Sequence, residues 1–271
     1  LALGYPIKDA LVIGKMAINQ GIKAGYSVGD TKGPLAIKHF PNQGCDLPLC
    51  TATPEVDINR PPFPSCNETP LGLYPVVDNA EWLEHLLPLG VTTIQLRVKD
   101  LKGDNLRAEI AQAIAVAKEY QCRLFINDHW QLAIELGAYG VHLGQEDLQT
   151  ADIDAIQAAG LRLGLSTHCH YEVAQALVYK PSYIACGPVY HTNSKQMPWI
   201  PHGIEGLSYW RKVLDYPLVA IGGINAERIT DIAAAGVDGV AMISAITEAD
   251  DPQEVTEQFI KIIAAQGVKK I

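Results

Sequence analysis

From residue 73 onward, short apolar segments alternate along the chain with longer amphipathic segments. The short segments are rich in Val, Ile and Leu and are bounded by Gly, Pro or polar residues, which is typical of buried strands. The predicted strands are 73–78, 91–97, 122–127, 140–143, 162–166, 183–188, 217–222 and 239–244. The amphipathic segments predict helices; for example, 105–120 places Leu106, Ile110, Ile114 and Ala117 on one face.

This regular alternation predicts an α/β protein. Eight βα units in succession, joined by right-handed crossovers, favour a closed (β/α)8 TIM barrel. An open, doubly wound parallel sheet is the alternative, because the same alternation also builds that fold.

The first quarter of the chain has a different pattern. Residues 1–26 have the mixed periodicity of one or two helices, and 25–33 interrupts it with glycines. Residues 41–70 predict a stiff, extended linker. Its prolines are Pro41, Pro48, Pro54, Pro61, Pro62, Pro64 and Pro70. We therefore divide the chain into a helical segment (1–40), a Pro-rich linker (41–70) and a barrel domain (71–271).

Composition narrows the classes of protein that are possible. A hydrophobic fraction of 48% fits a soluble globular protein with a substantial core. The net charge of −9 argues against a general nucleic-acid binder, and we find no apolar run long enough to span a membrane. No signal peptide is evident. We expect a cytoplasmic protein.

The cysteines do not suggest a metal site. Cys45, Cys50 and Cys66 lie in the Pro-rich segment without the C-x-x-C spacing of zinc sites. Cys122, Cys169 and Cys186 fall within or beside apolar strand patterns, where a small buried thiol is usual. We expect reduced thiols.

A cationic face at the end of the second predicted strand is the first candidate for chemistry. Gln95, Arg97 and Lys99 occupy alternate positions, so they share one face of the strand. Ligands of α/β folds bind at the carboxyl ends of the strands. An ordinary solvated strand end remains the alternative, but the pattern predicts a phosphate or pyrophosphate site.

Carboxylates follow the next two strands. Asn127 and Asp128 come after the third strand, and Asp147 follows the fourth. Each aspartate could simply cap a nearby helix. Two carboxylates facing a cationic site suit Mg2+ bridged to a pyrophosphate better, because Mg2+ prefers one or two carboxylates together with phosphate oxygens.

The later strand ends predict a second phosphate site. Gly222 and Gly223 allow the backbone to approach a phosphate closely, and Ile243 and Ser244 follow the last strand. The usual barrel phosphate site lies after strands 7 and 8. The barrel is therefore predicted to hold two phosphorylated ligands, one of them as a metal-bound pyrophosphate.

The histidines do not predict a general base. His142 lies within the fourth strand, and we interpret it as a packed, hydrogen-bonded side chain. His168 and His170 follow the fifth strand, but no Ser-His-Asp arrangement or metal-binding His pair accompanies them.

Taken together, these motifs resemble the thiamine-phosphate synthase (thiamine-phosphate pyrophosphorylase) family from about Leu73 to Ile263. The resemblance rests on Gln95-Leu96-Arg97-Val98-Lys99, Asn127-Asp128, Gly140-Val141-His142-Leu143-Gly144-Gln145-Glu146-Asp147, Ser166-Thr167-His168, Gly187-Pro188-Val189-Tyr190, Thr192-Asn193-Ser194-Lys195 and Gly222-Gly223-Ile224. It implies a transferase that joins hydroxymethylpyrimidine diphosphate to a thiazole phosphate, or its carboxylated form, releasing pyrophosphate.

The resemblance also implies roles for individual residues. Asp128 and Asp147 would hold Mg2+. The catalytic residues would be Arg97, Lys99, Lys195 and Ser166. The pyrimidine diphosphate would be held by Gln95, Leu96, Arg97, Val98, Lys99, Asn127, Ser166 and Lys195. The thiazole phosphate would be held by Thr192, Asn193, Ser194, Gly223, Ile243 and Ser244.

Two positions depart from the family pattern. Val98 replaces a residue that is often acidic, and Ser194 replaces a residue that is often Thr. Serine keeps the hydroxyl, and we expect activity to survive both changes.

Three other functions remain open at this point. A thiazole tautomerase has a similar barrel but would not need the cationic face together with both aspartates. A sugar-phosphate isomerase or epimerase predicts an acid–base pair that we do not find. A phosphate-ligand sensor on the same scaffold would lack catalysis, and product formation with both substrates and Mg2+ separates it from the synthase.

Residues 1–40 resemble the tail of hydroxymethylpyrimidine (phosphate) kinase. The resemblance rests on Leu3-Gly4-Tyr5, Lys15-Met16-Ala17-Ile18-Asn19-Gln20-Gly21-Ile22 and Gly33-Pro34. The chain begins with Leu1, and we favour a fragment of a fused, bifunctional kinase–synthase over a remnant that serves as a packing element. We expect no kinase activity from this segment, and a homo-oligomer would be unsurprising.

Overall fold

The computed structural model describes residues 4–51, 56–66, 69–192 and 199–266. Two short strands, β1 (Ser27–Val28) and β2 (Thr31–Lys32), form an antiparallel hairpin. The other strands are β3 (Gly72–Val77), β4 (Thr93–Leu96), β5 (Arg123–Asn127), β6 (Gly140–Leu143), β7 (Arg162–Thr167), β8 (Tyr183–Cys186), β9 (Leu218–Ile221) and β10 (Gly239–Met242).

The strands β3 to β10 form one closed parallel barrel, in which β10 pairs with β3. The predicted barrel is therefore confirmed, and the open-sheet alternative is wrong. Each predicted strand overlaps an observed one. The predicted and observed bounds differ by at most two residues at any strand end. Residues 25–33, which we expected only to interrupt the helical pattern, contain the β1–β2 hairpin.

Helices surround the barrel and connect its strands. The α-helices are α1 (Ile7–Lys23), α2 (Glu81–Leu86), α3 (Gly103–Glu119), α4 (Trp130–Glu135), α5 (Gln145–Leu148), α6 (Ile153–Ala158), α7 (His170–Ala176), α8 (Gly203–Val213), α9 (Ile229–Ala234), α10 (Ser244–Thr247) and α11 (Pro252–Gln266). Short 3-10 turns lie at Gly44–Asp46, Leu87–Leu89 and Leu177–Tyr179. Within the described residues, no helix combines the length and apolarity needed to cross a membrane.

Alternation along the strands creates two apolar regions. In β5, Leu124 and Ile126 point outward into the layer between sheet and helices, whereas Phe125 points into the barrel. Inside the barrel, the ring of Phe125 lies 5.9 Å from that of Tyr74 and 5.1 Å from that of Tyr183, measured between centroids. The interior is thus filled with aromatic side chains below the rim.

A buried arginine closes the end of the barrel where the strands begin. Arg123 is 5% exposed. Its guanidinium donates to the carbonyls of Cys66 (3.2 Å), Thr69 (3.0 Å) and Pro70 (2.8 Å) and to the Thr92 hydroxyl (3.1 Å). This side chain therefore attaches the segment that enters β3 to the start of β4.

We expect Arg123→Met to lower the free energy of unfolding by about 3 kcal/mol or more, since several buried carbonyls lose a charged donor together. Urea denaturation measures the change. The exposed Arg107 on α3, paired with Glu135, supplies the control Arg107→Met, for which we expect at most about 1 kcal/mol. Equal effects of the two substitutions would contradict a structural role for Arg123.

The N-terminal helix packs on the outside of the barrel, mainly against α7. Its residues Val12 and Met16 are buried. Asp9 is also buried, and its carboxylate accepts a hydrogen bond of 2.8 Å from the Tyr171 backbone N–H in the first turn of α7. This carboxylate satisfies a backbone donor that the helix itself leaves unpaired.

The Pro-rich segment also contacts the barrel helices. Phe63 is 4% exposed, and its backbone N–H donates to the Lys180 carbonyl at 3.0 Å. Arg60 is buried and pairs with the carboxylate of Asp154 at 2.7 Å. Among its described residues, regular structure is confined to the turn Gly44–Asp46, because prolines remove backbone donors.

His170 lies where the N-terminal segment meets the barrel. Its ring contacts Tyr5, Phe40 and Tyr209, with centroids 5.7, 6.1 and 5.5 Å away. Burial among these rings lowers the pKa of His170 from 6.5 to about 4. The folded protein therefore keeps this imidazole neutral, whereas the unfolded chain protonates it below pH 6.5.

This pKa difference predicts a loss of stability on acidification. Because the unfolded state binds the additional proton, the contribution of His170 to the free energy of unfolding is present above about pH 6.5. Acidification to pH 4 lowers this free energy by about 3 kcal/mol. His170→Phe should remove that part of the pH dependence. Unfolding midpoints measured from pH 7.5 to 4 for both proteins test this, and parallel curves would contradict it.

Candidate active site

A cavity of about 340 Å³ opens at the carboxyl ends of the barrel strands. Most of the side chains that the sequence predicts for the ligand site line it. They are Gln95, Arg97, Lys99, Asn127, Asp128, Asp147, Ser166, Thr192, Gly223, Ile243 and Ser244. Closure of the barrel brings residues from seven strand ends together around one cavity. No single segment of the chain could form this cavity.

The cationic face of β4 and the loop after it borders this cavity. Gln95 is buried, Arg97 is half-buried and Lys99 is the most exposed of the three. The intervening Leu96 and Val98 are 1% and 4% exposed and pack in the core behind the strand. Their side chains do not border the cavity, so a ligand could meet only their backbone. Asn193, Ser194 and Lys195 lie outside the described residues.

Asp128 and Asp147 meet at one side of the cavity. The Lys99 ammonium lies 2.5 Å from Oδ2 of Asp128. Asp128 adopts φ 63°, a left-handed conformation that aspartate tolerates better than most residues. Neither aspartate caps a helix, which makes the capping interpretation wrong: α4 and α5 have no side-chain cap, and Asp152 caps α6.

The two carboxylates differ electrostatically. Burial tends to raise the pKa of Asp128, but the hydrogen bond and charge of Lys99 outweigh it, so this pKa is lowered. Burial and then the negative charge of Asp128 raise the pKa of Asp147. Two carboxylates face the single ammonium group of Lys99, so the pair keeps a net negative charge. A further cation would be stabilised here.

This donor set fits Mg2+ in one particular way. Among the described residues, no group of three or more His, Cys, Asp and Glu side chains could hold a metal ion. Two carboxylates do lie together, and Mg2+ uses one or two carboxylates when phosphate oxygens and waters complete its shell. The residues therefore suit a metal that arrives with a phosphorylated ligand rather than a metal held by the protein alone.

The opposite side of the cavity is formed by backbone. Gly222 and Gly223 have φ of 101° and 66°, which side chains rarely adopt. A Cβ on Gly222 would lie 2.8 Å from Cα of Pro188, so only glycine fits here. Ile243 and Ser244 lie beside these glycines along the cavity wall. Peptide N–H groups and hydroxyls are the donors that bind a monophosphate in proteins, so the glycines and Ser244 on this side suit such a group.

Sequence reasoning missed several residues of the site. His142 is packed and hydrogen-bonded as expected, but it also borders the cavity and contacts Ser166 Oγ at 2.8 Å. His168 borders the cavity too, with Nδ1 2.7 Å from a Glu172 oxygen and Trp199 stacked on its ring at 5.4 Å. The i, i+4 spacing of His168 and Glu172 could have predicted their contact from the sequence. No feature of the sequence indicates that Trp199 stacks on His168.

Comparisons with known proteins agree with this geometry. The sequence model of the thiamine monophosphate synthase family matches residues 73–246. The thiamine-phosphate synthase of Salmonella choleraesuis is 54% identical over 205 residues, which cover 75% of this chain and 97% of that protein. The thiamine-phosphate synthase of Yersinia pseudotuberculosis is 55% identical over 204 residues, covering 75% of this chain and 94% of that one.

Solved structures give the same result. The thiamine phosphate pyrophosphorylase of Pyrococcus furiosus has a TM-score of 0.65 and 30% identity, covering 72% of this chain and 96% of its own. The 3-hexulose-6-phosphate synthase of Salmonella typhimurium, at 20% identity and a TM-score of 0.54, shares the fold alone.

The length and identity of these matches, together with a barrel rim that gathers the expected polar residues, place the chain in one family. This chain belongs to the thiamine monophosphate synthase family.

Proposed function

We propose that the rim cavity joins 4-amino-2-methyl-5-(diphosphooxymethyl)pyrimidine to 4-methyl-5-(2-phosphooxyethyl)thiazole, giving thiamine phosphate and pyrophosphate. The observation that carries the proposal is the arrangement of one cavity: two cations and two carboxylates on one side, and a glycine backbone with Ser244 on the other. A diphosphate with its metal fits the first side, and a monophosphate fits the second. The thiamine-phosphate synthases to which the chain is related support this substrate pair.

The first step that this site favours is loss of pyrophosphate. The bond between the benzylic-type carbon and the diphosphate oxygen breaks, and its electron pair leaves with the pyrophosphate. Arg97 and Lys99 stabilise the negative charge that develops, because their charges are already positioned beside the leaving group. Lys195 is proposed for the same role by the family resemblance.

Asp128 and Asp147 would hold Mg2+ against the diphosphate. When bound, the metal supplies additional charge stabilisation for the leaving pyrophosphate. The two carboxylates would position the metal. Lys99 lowers the pKa of Asp128 and so keeps this carboxylate ionised, although burial alone would raise the pKa. The protein thus prepares a metal ligand that is negatively charged at neutral pH.

The second step needs little from the protein beyond positioning. The thiazole nitrogen donates its lone pair to the electron-poor carbon, and the new C–N bond makes a thiazolium. No proton has to leave the attacking nitrogen, so no strong base is required. Thr192, Gly223, Ile243 and Ser244 would hold the phosphate of this substrate, in agreement with their place on the cavity wall. Asn193 and Ser194 are proposed from the resemblance alone.

The decisive experiment follows pyrophosphate release by the purified chain. With both substrates and Mg2+ we expect release together with an equal amount of thiamine phosphate. Omitting the thiazole phosphate, or adding EDTA, should stop product formation. A folded protein that releases no pyrophosphate would refute the proposal, and isomerisation of the thiazole phosphate would then be assayed.

The organisation of the N-terminal quarter remains a proposal as well. We infer that residues 1–40 act as a packing element of the barrel, whether or not they derive from a kinase. Supporting this, α1 buries Val12 and Met16 against the barrel side, and the family match begins only at residue 73. The three-part division, the fused kinase and the homo-oligomer stay predictions; sedimentation velocity tests the last.

A further inference from the structure

An arginine that follows Gly222 and Gly223, the glycine pair of the rim, reaches back to it. Arg228 directly precedes α9, and one nitrogen of its guanidinium donates to the Gly223 carbonyl oxygen at 2.5 Å. The guanidinium also lies on the ring of Tyr190, 4.4 Å from the ring centroid. Arg228 is half-buried and does not itself border the cavity. One side chain therefore joins the loop after β9 to the loop after β8.

The backbones of these two loops are in direct contact. The backbone N–H of Tyr190 donates to the Gly222 carbonyl at 3.0 Å. A Cβ on Gly223 would lie 2.8 Å from Cβ of Tyr190, so a larger residue there would push the loops apart. Both glycines have left-handed φ values. Glycine adopts this region without steric cost but adopts many others as well, so contacts from outside the pair must select one conformation.

The carbonyl that Arg228 binds determines where the next N–H points. The peptide bond between Gly223 and Ile224 is trans, so the C=O of Gly223 and the N–H of Ile224 point in opposite directions. Both residues border the cavity, whereas Arg228 does not. A carbonyl directed at Arg228 thus leaves the Ile224 N–H directed toward the cavity side. Among the described residues, no carbonyl accepts a hydrogen bond from the N–H of Gly223 or of Ile224.

The opposite orientation of this peptide unit would oppose anion binding. Rotation of the unit would direct the Gly223 carbonyl oxygen, with its partial negative charge, at the cavity. Phosphate oxygens would then be repelled rather than bound. The guanidinium of Arg228 opposes this rotation, because its hydrogen bond to the carbonyl oxygen is assisted by a charge that persists at neutral pH.

The charge of Arg228 is not neutralised by a carboxylate. Within the described part of the chain, no Asp or Glu forms an ion pair with Arg228, whereas Arg211, for example, pairs with Asp238. The face of the Tyr190 ring attracts the guanidinium and limits its motion. A positive charge is thus held behind the glycine pair, where it favours an anion in the cavity.

We propose that Arg228 is a positioning residue for the monophosphate substrate: it fixes the Gly223 carbonyl outside the cavity, so that the Ile224 N–H donates to the phosphate. Tyr190 acts one step further away, by holding the guanidinium. This rests on the proposed function, which places the thiazole phosphate at Gly223 and Ser244. The pyrimidine diphosphate, on the other side of the cavity, does not use this peptide unit.

Substrate-specific kinetics test the proposal. Arg228→Met keeps most of the length of the side chain and removes its donors. We expect KM for the thiazole phosphate to rise about tenfold, the effect of about one charge-assisted hydrogen bond. The phosphate is remote from the reacting nitrogen and is held equally before and during the reaction, so kcat at saturating thiazole phosphate should stay within about threefold. KM for the pyrimidine diphosphate should change less than about twofold.

Arg211→Met is the matched control. Arg211 on α8 is also half-buried and also donates to backbone carbonyls, those of Leu214 at 2.5 Å and Tyr216 at 3.2 Å. It does not border the cavity. This variant therefore reports what the loss of a carbonyl-bound arginine does to folding alone, and we expect neither KM to change. Equal effects of Arg228→Met and Arg211→Met on KM for the thiazole phosphate would overturn the proposal.

Conservative variants separate positioning from a general effect on folding. Arg228→Lys keeps a charged donor and should recover part of the lost affinity for the thiazole phosphate. Tyr190→Leu removes the ring that holds the guanidinium and should raise the same KM about threefold. Tyr190→Phe keeps the ring and should recover most of that loss. If Arg228→Lys were no better than Arg228→Met while folding normally, the charged donor would not be what positions the peptide.

A binding measurement without turnover examines the same peptide unit directly. The protein is labelled with 15N-isoleucine and titrated with inorganic phosphate, and the signal lost in Ile224→Val identifies the Ile224 amide. We expect its proton to shift downfield as phosphate binds, with about tenfold more phosphate needed in Arg228→Met. An Ile224 amide that does not respond, or that responds at the same concentration in both proteins, would overturn the proposal. If phosphate bound as expected but the unsubstituted chain released no pyrophosphate, the proposed function would fail instead, and the role of Arg228 in anion binding would stand.

Discussion

Arg97→Ala is expected to reduce kcat/KM for the pyrimidine diphosphate by about 10³-fold or more, the order of loss seen when a positioned cation is removed from phosphate chemistry. Arg97 borders the cavity at the end of β4 and is half-buried, so its charge is only partly screened by water. Arg97→Lys keeps the charge but loses the planar, two-pronged donor, and we expect an intermediate activity.

The measurement is pyrophosphate release with Mg2+ at saturating thiazole phosphate. Arg107→Ala provides the control, because Arg107 is an exposed arginine on α3 that pairs only with Glu135 among the described residues. An Arg97→Ala variant that folds and keeps activity within about twofold of the unsubstituted chain would show that Arg97 does not stabilise the leaving group.

Asp128→Asn is expected to lower activity about 10²-fold at limiting Mg2+, with part of the loss recovered at high Mg2+. The substitution removes a charged oxygen ligand and leaves the side-chain shape nearly unchanged. Asparagine also tolerates the φ of 63° at this position, so backbone strain would not account for the loss. Lys99 would lose its partner, which lies 2.5 Å away in the folded protein.

Two readouts separate metal binding from folding. The Mg2+ concentration for half-maximal activity should rise in Asp128→Asn, and Mn2+ bound in the presence of pyrophosphate should decrease. The exposed Asp104 in the first turn of α3 supplies the control Asp104→Asn, which should change neither. If the Mg2+ dependence of Asp128→Asn matched that of the control, the assignment of Asp128 to the metal would be wrong.

Local patterns predicted the strands and the cationic face well. Gln95, Arg97 and Lys99 share a face because side chains alternate along any extended segment, whatever surrounds them. Asp128 and Asp147 were brought together by a rule of topology: residues after parallel strands meet at one end of a barrel. Whether these aspartates cap helices could not be decided locally, because it depended on where each carboxylate lies relative to the first turns of α4 and α5.

The hydrogen bonds inside the barrel show where sequence reasoning stopped. Tyr74 and Tyr183 are 109 residues apart, and nothing in their neighbours marks them as hydrogen-bond partners. His142 was correctly interpreted as packed and hydrogen-bonded, but its partners Tyr183 and Ser166 depend on the register of β6, β7 and β8. The position of Asp9 at the start of α7 is likewise set by packing between distant segments.

The sequence by itself determined the alternation of strands and helices, the polar rim and the family of this protein, because these follow from periodicity and from short motifs. Only the tertiary structure decided that the barrel closes by pairing β10 with β3 and that Tyr74 and Ser166 are connected through its interior by way of Tyr183 and His142. The physical reason is the distance along the chain over which each effect acts. Periodicity acts over a few residues, whereas hydrogen bonds in a buried interior are fixed by strand register and by the need to satisfy every polar group at once.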